Sequence, residues 1–586
     1  MLAAKAAFLL SGGATVTAVT FTRDSALELR ERIVKQSGVE TLSRLLVGTF
    51  HSIDLLMAFP AKARSSMGAD ILRHSRSTLK KPWAIVNEGT RRGAVARATD
   101  AAGLAGLEPE KATALIEAIK SGHLVASNDS ETVLVAAYTE VLDRHGVIDF
   151  QDILLKTNAG MLAGSITPLK TDYLLIDEFQ DTDLPQFVWA MEHAKAGSMV
   201  TAVGDDDQSI YGFRRALGYA GMDDFASRLN ATKVVLGLNY RSHSEILSPS
   251  SVLIAVNENR MDKALVSNKG SGGYCFWERF STAALEAKGC QEKVHESVSS
   301  GGTVGVLART NKRLNEIEVE LIAAQIAYTR AGGDSILKTR EMMVLVSALG
   351  CLVRDDAKDV DELLAWCAVS EEDLAALHKA FGQGVFAAER TRSALGKAAV
   401  TDGAKTIVTK LGKRITEWRC FIETDGLPFV MKQLIPLLSE HAPDKRSLKL
   451  LQVVAEVVAN PLGSTLKKTG NHRLDFVARL QSIRNAMAGR PTGEIEVVAK
   501  VSLMTVHSSK GLEFDLVWLL GAEEDAFPDK DSGVQEERRL FYVAMTRARR
   551  HLWVSASGKP NPSQFISEAG IARVPEHTFV TASPAR

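Results

Sequence analysis

The feature that most constrains this chain is a recurrence of short, almost unbroken β-branched runs separated by longer helical patterns. The runs lie at Thr15–Thr20, Tyr173–Ile176, Met199–Val203, Lys233–Leu236, Thr303–Leu307, Val501–Thr505 and Leu516–Leu520. A strand with one wet face alternates apolar and polar residues. A continuous apolar run is covered on both faces, as buried parallel strands are. With helices between the runs, this is the layout of open parallel α/β sheets. The runs form two groups, one before about residue 250 and one after 300. Each group is interrupted by a mainly helical stretch, at about 60–145 and 346–495. Two α/β domains with helical insertions account for 586 residues better than four domains in series, the number that ~150 residues per domain would give.

Composition narrows the function. Lys plus Arg is 70 and Asp plus Glu is 70, which excludes a tail-driven polycation but leaves room for a local basic groove. Lys62–Arg97 carries nine Lys/Arg against two acids, Asp355–Asp373 eight acids against one Lys, and Arg538–Arg550 five Arg and no acid. The plain expectation for such runs is a solvated helix face. The five cysteines show no CxxC spacing and read as reduced core residues of a cytoplasmic protein. No apolar run reaches the ~18 residues that span a bilayer; Met342–Val353 reads as a buried helix. The opening residues resemble a signal peptide, but a strand pattern follows at once.

Two strand ends carry chemistry. Leu174-Leu175-Ile176-Asp177-Glu178 ends an apolar run in two adjacent acids. Ligands of open α/β sheets sit at the carboxyl ends of strands. There, one acid can hold Mg²⁺ and the other can orient or deprotonate a water. A helix cap is the alternative. Ala202–Arg214 adds acids, an amide, and Tyr211 and Phe213 at i and i+2. On an extended segment these rings point the same way and can stack on bases; core packing is their alternative role.

In order along the chain stand AVTFTRDSALELRERI (18–33), VGTFHS (47–52), DFQDIL (149–154), IDEFQDT (176–182), VGDDDQSIYGFR (203–214), NYRS (239–242), MTVHSSKGLEF (504–514) and EERRLFYVAMTRA (536–548). The set resembles the helicase motifs of the UvrD/Rep/PcrA family of superfamily 1 in order and spacing, over nearly the whole chain. The resemblance implies two RecA-like parallel-sheet cores with inserted 1B and 2B subdomains. Core 1A would take residues 1–60 and 146–250, with 1B at 61–145. Core 2A would take 251–345 and 496–560, with 2B at 346–495 and a tail at 561–586. The 2B-like stretch carries the weakest resemblance.

The resemblance also implies roles. Asp177 matches the Mg²⁺ ligand, Glu178 the catalytic base and Gln208 the γ-phosphate sensor. Arg241 and Arg547 match the two arginines that reach the γ-phosphate from the second core. Tyr240 and Glu513 match residues near the base and ribose of ATP. Phe21, Thr49, His51, Tyr211, Phe213 and His507 match positions along the single-stranded DNA path. The family usually has Trp where this chain has Phe213. Satisfied strand-end histidines remain an alternative for His51 and His507, and a helix cap for Thr49.

One departure stands out. No G-x-x-x-x-G-K-[ST] occurs in the chain; Gly396-Lys397-Ala398 and Gly403-Ala404-Lys405-Thr406 lack the spacing. That loop supplies backbone N–H groups, a Lys and a hydroxyl to a triphosphate. By the resemblance, residue 1 falls just past it, which reads as a start placed too far downstream or recently lost. The expectation is an ATP- and Mg²⁺-dependent 3′-to-5′ helicase acting on single-stranded DNA and single/double-strand junctions, away from membranes, with hydrolysis impaired in the 586-residue chain. The alternative is a DNA-binding pseudo-helicase. A RecB-like nuclease fusion is disfavoured, because only 38 residues follow Ala548.

Overall fold

The structure, a computed structural model, describes residues 1–60, 67–212, 215–324, 326–332, 335–382, 384–386, 395–424, 427–459, 470–487, 499–558 and 560–574. The chain divides into two compact units. Unit 1 is Met1–Gly237 with Asn257–Ala264, and unit 2 is Leu238–Val256 with Leu265–Arg586.

Unit 1 is built on four parallel strands: β1 (Val16–Thr20), β2 (Leu45–Thr49), β3 (Tyr173–Ile176) and β4 (Met199–Ala202), in the order β2-β1-β3-β4. Side chains alternate across the sheet. Val16, Ala18 and Leu175 pack with Leu2, Ala6, Leu10 and Ile33 of the helices Leu2–Ser11 and Arg23–Ser37. Val19, Leu174 and Ile176 pack on the other face with Phe50, Phe179 and Trp189. Both faces of β1 and β3 are therefore covered, which explains their unbroken apolar runs, whereas the edge strand β4 is only partly buried and Met199 is exposed. The insertion after β2 is helical, with Glu88–Ala101, Pro109–Lys120 and Asp129–Arg144 around Ala98, Ile116, Leu134 and Tyr138.

Unit 2 carries seven parallel strands: β5 (Tyr274–Phe280), β6 (Val304–Ala308), β7 (Tyr328–Ala331), β8 (Val501–Thr505), β9 (Phe514–Leu520), β10 (Ala548–Ser557) and β11 (Ala572–Arg573), in the order β7-β8-β6-β9-β10-β5-β11. Its insertion between β7 and β8 is helical around one core. There Met342, Leu345, Leu349 and Leu352 of the helix Arg340–Val353 meet Trp366, Val408, Leu434 and Leu451. Met342–Val353 is thus the buried helix its pattern predicts. The fold class is the expected one, α/β with two parallel-sheet cores and helical insertions.

Three expectations need correction. Lys233–Leu236 is not a strand: Val234, Val235 and Leu236 are exposed and hydrogen-bond in no sheet. β-Branched residues make a strand only where an edge is available to pair with. Conversely, β2, β5, β7, β10 and β11 were not among the expected runs. β10 opens with Ala548-Arg549-Arg550-His551 and hides its apolar half behind charge. The charged runs, finally, are not simply solvated faces. Arg538 is buried against Glu568, its Nε 2.7 Å from the carboxylate. Asp355 pairs with Arg419, and Asp359 lies 2.5 Å from Arg484.

All five cysteines are unpaired, four of them buried and Cys420 exposed. Among the described residues, no helix is long and apolar enough to cross a membrane.

Candidate nucleotide and nucleic-acid site

In unit 1 the carboxyl ends of all four strands lead into expected site residues. β3 runs into Asp177, whose N–H still donates to Val19 O at 2.9 Å. Glu178 then turns into the left-handed region, φ 52°. That conformation is costly for a non-glycine residue and persists where the surroundings impose it. In this conformation the Glu178 side chain meets Gln180. Gln180 Nε2 donates to Glu178 Oε2 at 2.6 Å, and its Oε1 accepts the Asp205 N–H at 2.9 Å. Asp205 in turn accepts from Gln208 Nε2 at 2.6 Å. Glu178 and Gln208, from the ends of β3 and β4, are thus joined through two intermediaries. The approach is close: a Cβ on Gly204 would lie 2.4 Å from Gln180 Oε1.

Three carboxylates, Asp205, Asp206 and Asp207, lie close enough to share a metal ion. Cations already occupy that position. Lys263 contacts Asp205, lies 2.6 Å from Asp206 and 3.0 Å from Asp207, and Arg260 makes two bonds to Asp207 at 2.9 and 2.7 Å. The Met261 N–H donates to Asp206 at 2.8 Å. Burial pushes the Asp205 carboxyl up, but the Lys263 ammonium outweighs it and holds the group below its usual range. The cluster is an ion-pair knot that clips Asn257–Ala264 onto the loop bearing Gln208.

Asp177 is the half-buried oxygen donor at a parallel-strand end that suits Mg²⁺ bound to phosphate. The phosphate-cradling loop G-x-x-x-x-G-K-[ST] is absent from the 586 residues. The metal side of a nucleotide site therefore fits, and the cradle does not.

The aromatic set lies at the same sheet edge. Phe21 follows β1 and meets Phe50 edge-on at 6.1 Å. Thr49 ends β2 and caps the helix Phe50–Ala58 in a reciprocal capping box with Ser52. His51 stacks on Phe150 at 4.1 Å with the rings 22° apart, and burial lowers its pKa to about 4, so the imidazole is neutral at neutral pH. Phe150 is 57% exposed; its only sequence signal is its place in DFQDIL. Tyr211 lies in neither a strand nor a helix, and Phe213 lies outside the described residues.

In unit 2 the Asn239 side chain accepts the N–H groups of Arg241 and Ser242 at 3.0 and 2.9 Å, and Ser242 Oγ donates to Ala548 O at 2.6 Å. This holds NYRS against β10. Arg241 Nε donates to Glu513 at 2.7 Å and Nη1 to Thr546 O at 3.2 Å, while Arg549 binds the other oxygen of Glu513. Burial raises the Glu513 pKa, and the bonds from Arg549 and Arg241 more than reverse that. Arg547 is 1% exposed; its Nε donates to Val543 O at 2.9 Å and its Nη2 to Thr546 Oγ1 at 3.2 Å. Tyr240 is 67% exposed. His507 starts the short turn after β8. The sequence reading missed Arg260 and Lys263, which belong to none of the recognised motifs, and Gln180, which it saw only as part of IDEFQDT.

Comparison with known proteins gives a concordant result. The family described as the UvrD/REP helicase N-terminal domain matches residues 2–219. That described as the UvrD-like helicase C-terminal domain matches 234–364 and 407–559. A probable DNA helicase II homolog of Rickettsia conorii is 27% identical, over 95% of this chain and 89% of its own length. DNA helicase II of Escherichia coli is 26% identical, over 94% and 81%. The ATP-dependent DNA helicase PcrA of Leuconostoc citreum is 26% identical, over 94% and 78%.

Proposed function

The chain belongs to the UvrD/REP helicase family and is a DNA helicase enzyme, and from that premise we propose an ATP-driven translocase that moves 3′-to-5′ on single-stranded DNA and opens single/double-strand junctions. The observation that carries this reading is the chain of bonds from Glu178 through Gln180 and Asp205 to Gln208. It joins an acid suited to activating water with an amide suited to sensing a phosphate. When bound, ATP would supply the phosphoanhydride bond whose hydrolysis drives movement, and Mg²⁺ would offset the charge of its phosphates. Asp177 would hold the metal. Glu178 takes a proton from the attacking water at the carboxylate that Gln180 orients. Gln208 reports on the γ-phosphate, and Arg241 and Arg547 offset its developing charge. Tyr240 and Glu513 face the nucleoside. Phe21, Thr49, His51, Tyr211, Phe213 and His507, with the exposed ring of Phe150, contact single-stranded DNA.

A second reading has one observation in its favour. Without a G-x-x-x-x-G-K-[ST] loop, the 586-residue chain binds DNA but hydrolyses ATP poorly. DNA-stimulated ATP hydrolysis, measured on this chain and on a form carrying such a loop before Met1, tests both. Turnover only in the loop-bearing form is expected. Ordinary turnover by the unextended chain would overturn the impairment, and none in either form would overturn the motor reading.

A further inference from the structure

The helix Pro109–Lys120 belongs to the insertion, yet its last turn grips the helix that carries Phe150. Lys120 Nζ lies 2.7 Å from Asp149 and 2.8 Å from Asp152. The side chains of Lys120 and Asp149 are each 7% exposed. Asp149 is the cap of the helix Phe150–Leu162: it accepts the Asp152 N–H at 2.8 Å, and Asp152 accepts the Asp149 N–H at 3.2 Å. The Tyr138 hydroxyl donates to Asp149 at 3.1 Å, and the Lys120 ammonium lies 5.3 Å from the centre of the Tyr138 ring. A second tie runs beside the first, from Gln151 Nε2 to Glu117 O at 3.1 Å. A third runs from the Arg215 guanidinium to Ala114 O. One insertion helix therefore holds both Arg215 and the first turn bearing Phe150.

We propose that Lys120 is a positioning residue for single-stranded DNA binding: through Asp149 and Asp152 it fixes Phe150 against His51, so that the exposed ring is preset for a base. The proposal rests on the reading that this chain binds single-stranded DNA. Lys120 is too buried to meet a phosphate itself. Its ammonium instead compensates two carboxylates that would otherwise face each other in a poorly hydrated site, a costly arrangement. The cap that Asp149 makes needs its ionised oxygen. With the charge removed, the cap and the first turn loosen, and the ring is no longer held before the base arrives.

The test is titration of a fluorescent oligonucleotide with the full chain at several salt concentrations. Lys120→Met should weaken binding about five- to fiftyfold, comparable to the loss of one stacked base, with the log–log salt slope unchanged. Lys120→Arg should restore most of the affinity. In a Phe150→Ala background, Lys120→Met should cost little more, because both changes act on one contact. A slope shallower by about 0.7 would mean that Lys120 meets a phosphate directly, and would overturn the proposal. So would wild-type affinity, or additive losses in the double variant. If Lys120→Met does not fold, Gln151→Ala cuts the second tie without uncovering a charge. It should weaken binding about two- to fivefold, again only when Phe150 is present; no loss there would equally overturn the proposal. If the unaltered chain binds no oligonucleotide, the DNA reading itself fails, and the proposal with it.

Discussion

Arg241 and Glu513, 272 positions apart in the chain, meet as an ion pair with Nε 2.7 Å from Oε2. The pair is partly solvated, with side chains 28% and 36% exposed, so its direct contribution to stability is small. Its value lies in orientation. Glu513 also takes Arg549 on its other oxygen, and Asn239 fixes the backbone of Arg241. The guanidinium is thereby held by Glu513 and the Thr546 carbonyl, on a backbone fixed by Asn239.

Arg241→Ala, in a form bearing a phosphate loop, should slow ATP hydrolysis by about 10³–10⁵ while leaving oligonucleotide affinity within about threefold. Steady-state turnover and a binding titration on one preparation check this. Retention of more than about a tenth of the turnover would remove Arg241 from phosphoryl transfer.

Arg547 should behave differently, because its guanidinium is buried among the Val543 carbonyl and the Thr546 hydroxyl. Arg547→Ala should cost about 1–3 kcal/mol of folding stability, by leaving buried acceptors without a donor, in addition to the loss of hydrolysis. Denaturant unfolding separates the two effects. A full loss of turnover with unchanged stability would mean that the carbonyl bonds contribute nothing.

Lys263→Met should destabilise the protein by about 3–5 kcal/mol at pH 7, the cost of leaving buried carboxylates unpaired. The Asp205 carboxyl is lowered in the folded state. The stability it contributes is therefore present above its unfolded pKa and is lost as pH falls through the lower, folded value. The deficit of the variant should shrink as pH drops below about 4. Urea melts at pH 7 and at pH 3.5 measure it.

Asp54 gives the opposite sign. It is fully buried, and burial raises its pKa well above 3.8 against the opposing, weaker influence of the Trp189 side chain. The folded state therefore holds a proton that the unfolded chain releases, so stability falls as pH rises from about 4 towards the folded pKa. Asp54→Asn should gain stability relative to wild type, and the gain should grow between pH 5 and pH 8. An equal difference at both pH values would mean that the group does not titrate there.

Tyr211→Ala and Phe213→Ala should each weaken single-stranded DNA binding by roughly 1–3 kcal/mol without altering the salt slope, since each removes stacking and no charge. Phe213→Ala should also lower unwinding per ATP, because Phe213 belongs to the same VGDDDQSIYGFR motif as Gln208. Unchanged affinity and coupling would make these rings ordinary packing residues.

The sequence disclosed what is local. Asp177, Glu178 and Gln208 stand beside apolar runs whose continuity betrays a doubly covered sheet, and the helix Arg340–Val353 is apolar enough to be seen as buried. Non-local relations were not legible. Nothing near Lys263 says that its ammonium meets acids 57 positions upstream. Nothing in DFQDIL says that Asp149 will be gripped by Lys120. Lys233–Leu236 has the composition of a strand, but composition does not say whether an edge is free to receive it. In β10 the reverse holds: four opening residues with three basic side chains mask a strand that lies between β9 and β5.

The clip formed by Asn257–Ala264 has a practical corollary for anyone dividing the chain. A fragment ending at Gly237 keeps Asp205, Asp206 and Asp207 but discards Arg260 and Lys263, and so carries an unneutralised acidic pocket beside Gln208. A protease nick near residue 240 would likewise free no intact unit, because the clip is supplied from the far side of the cut. Split-protein designs and expression boundaries for unit 1 belong after Ala264, with the excursion Leu238–Val256 retained or replaced by a linker.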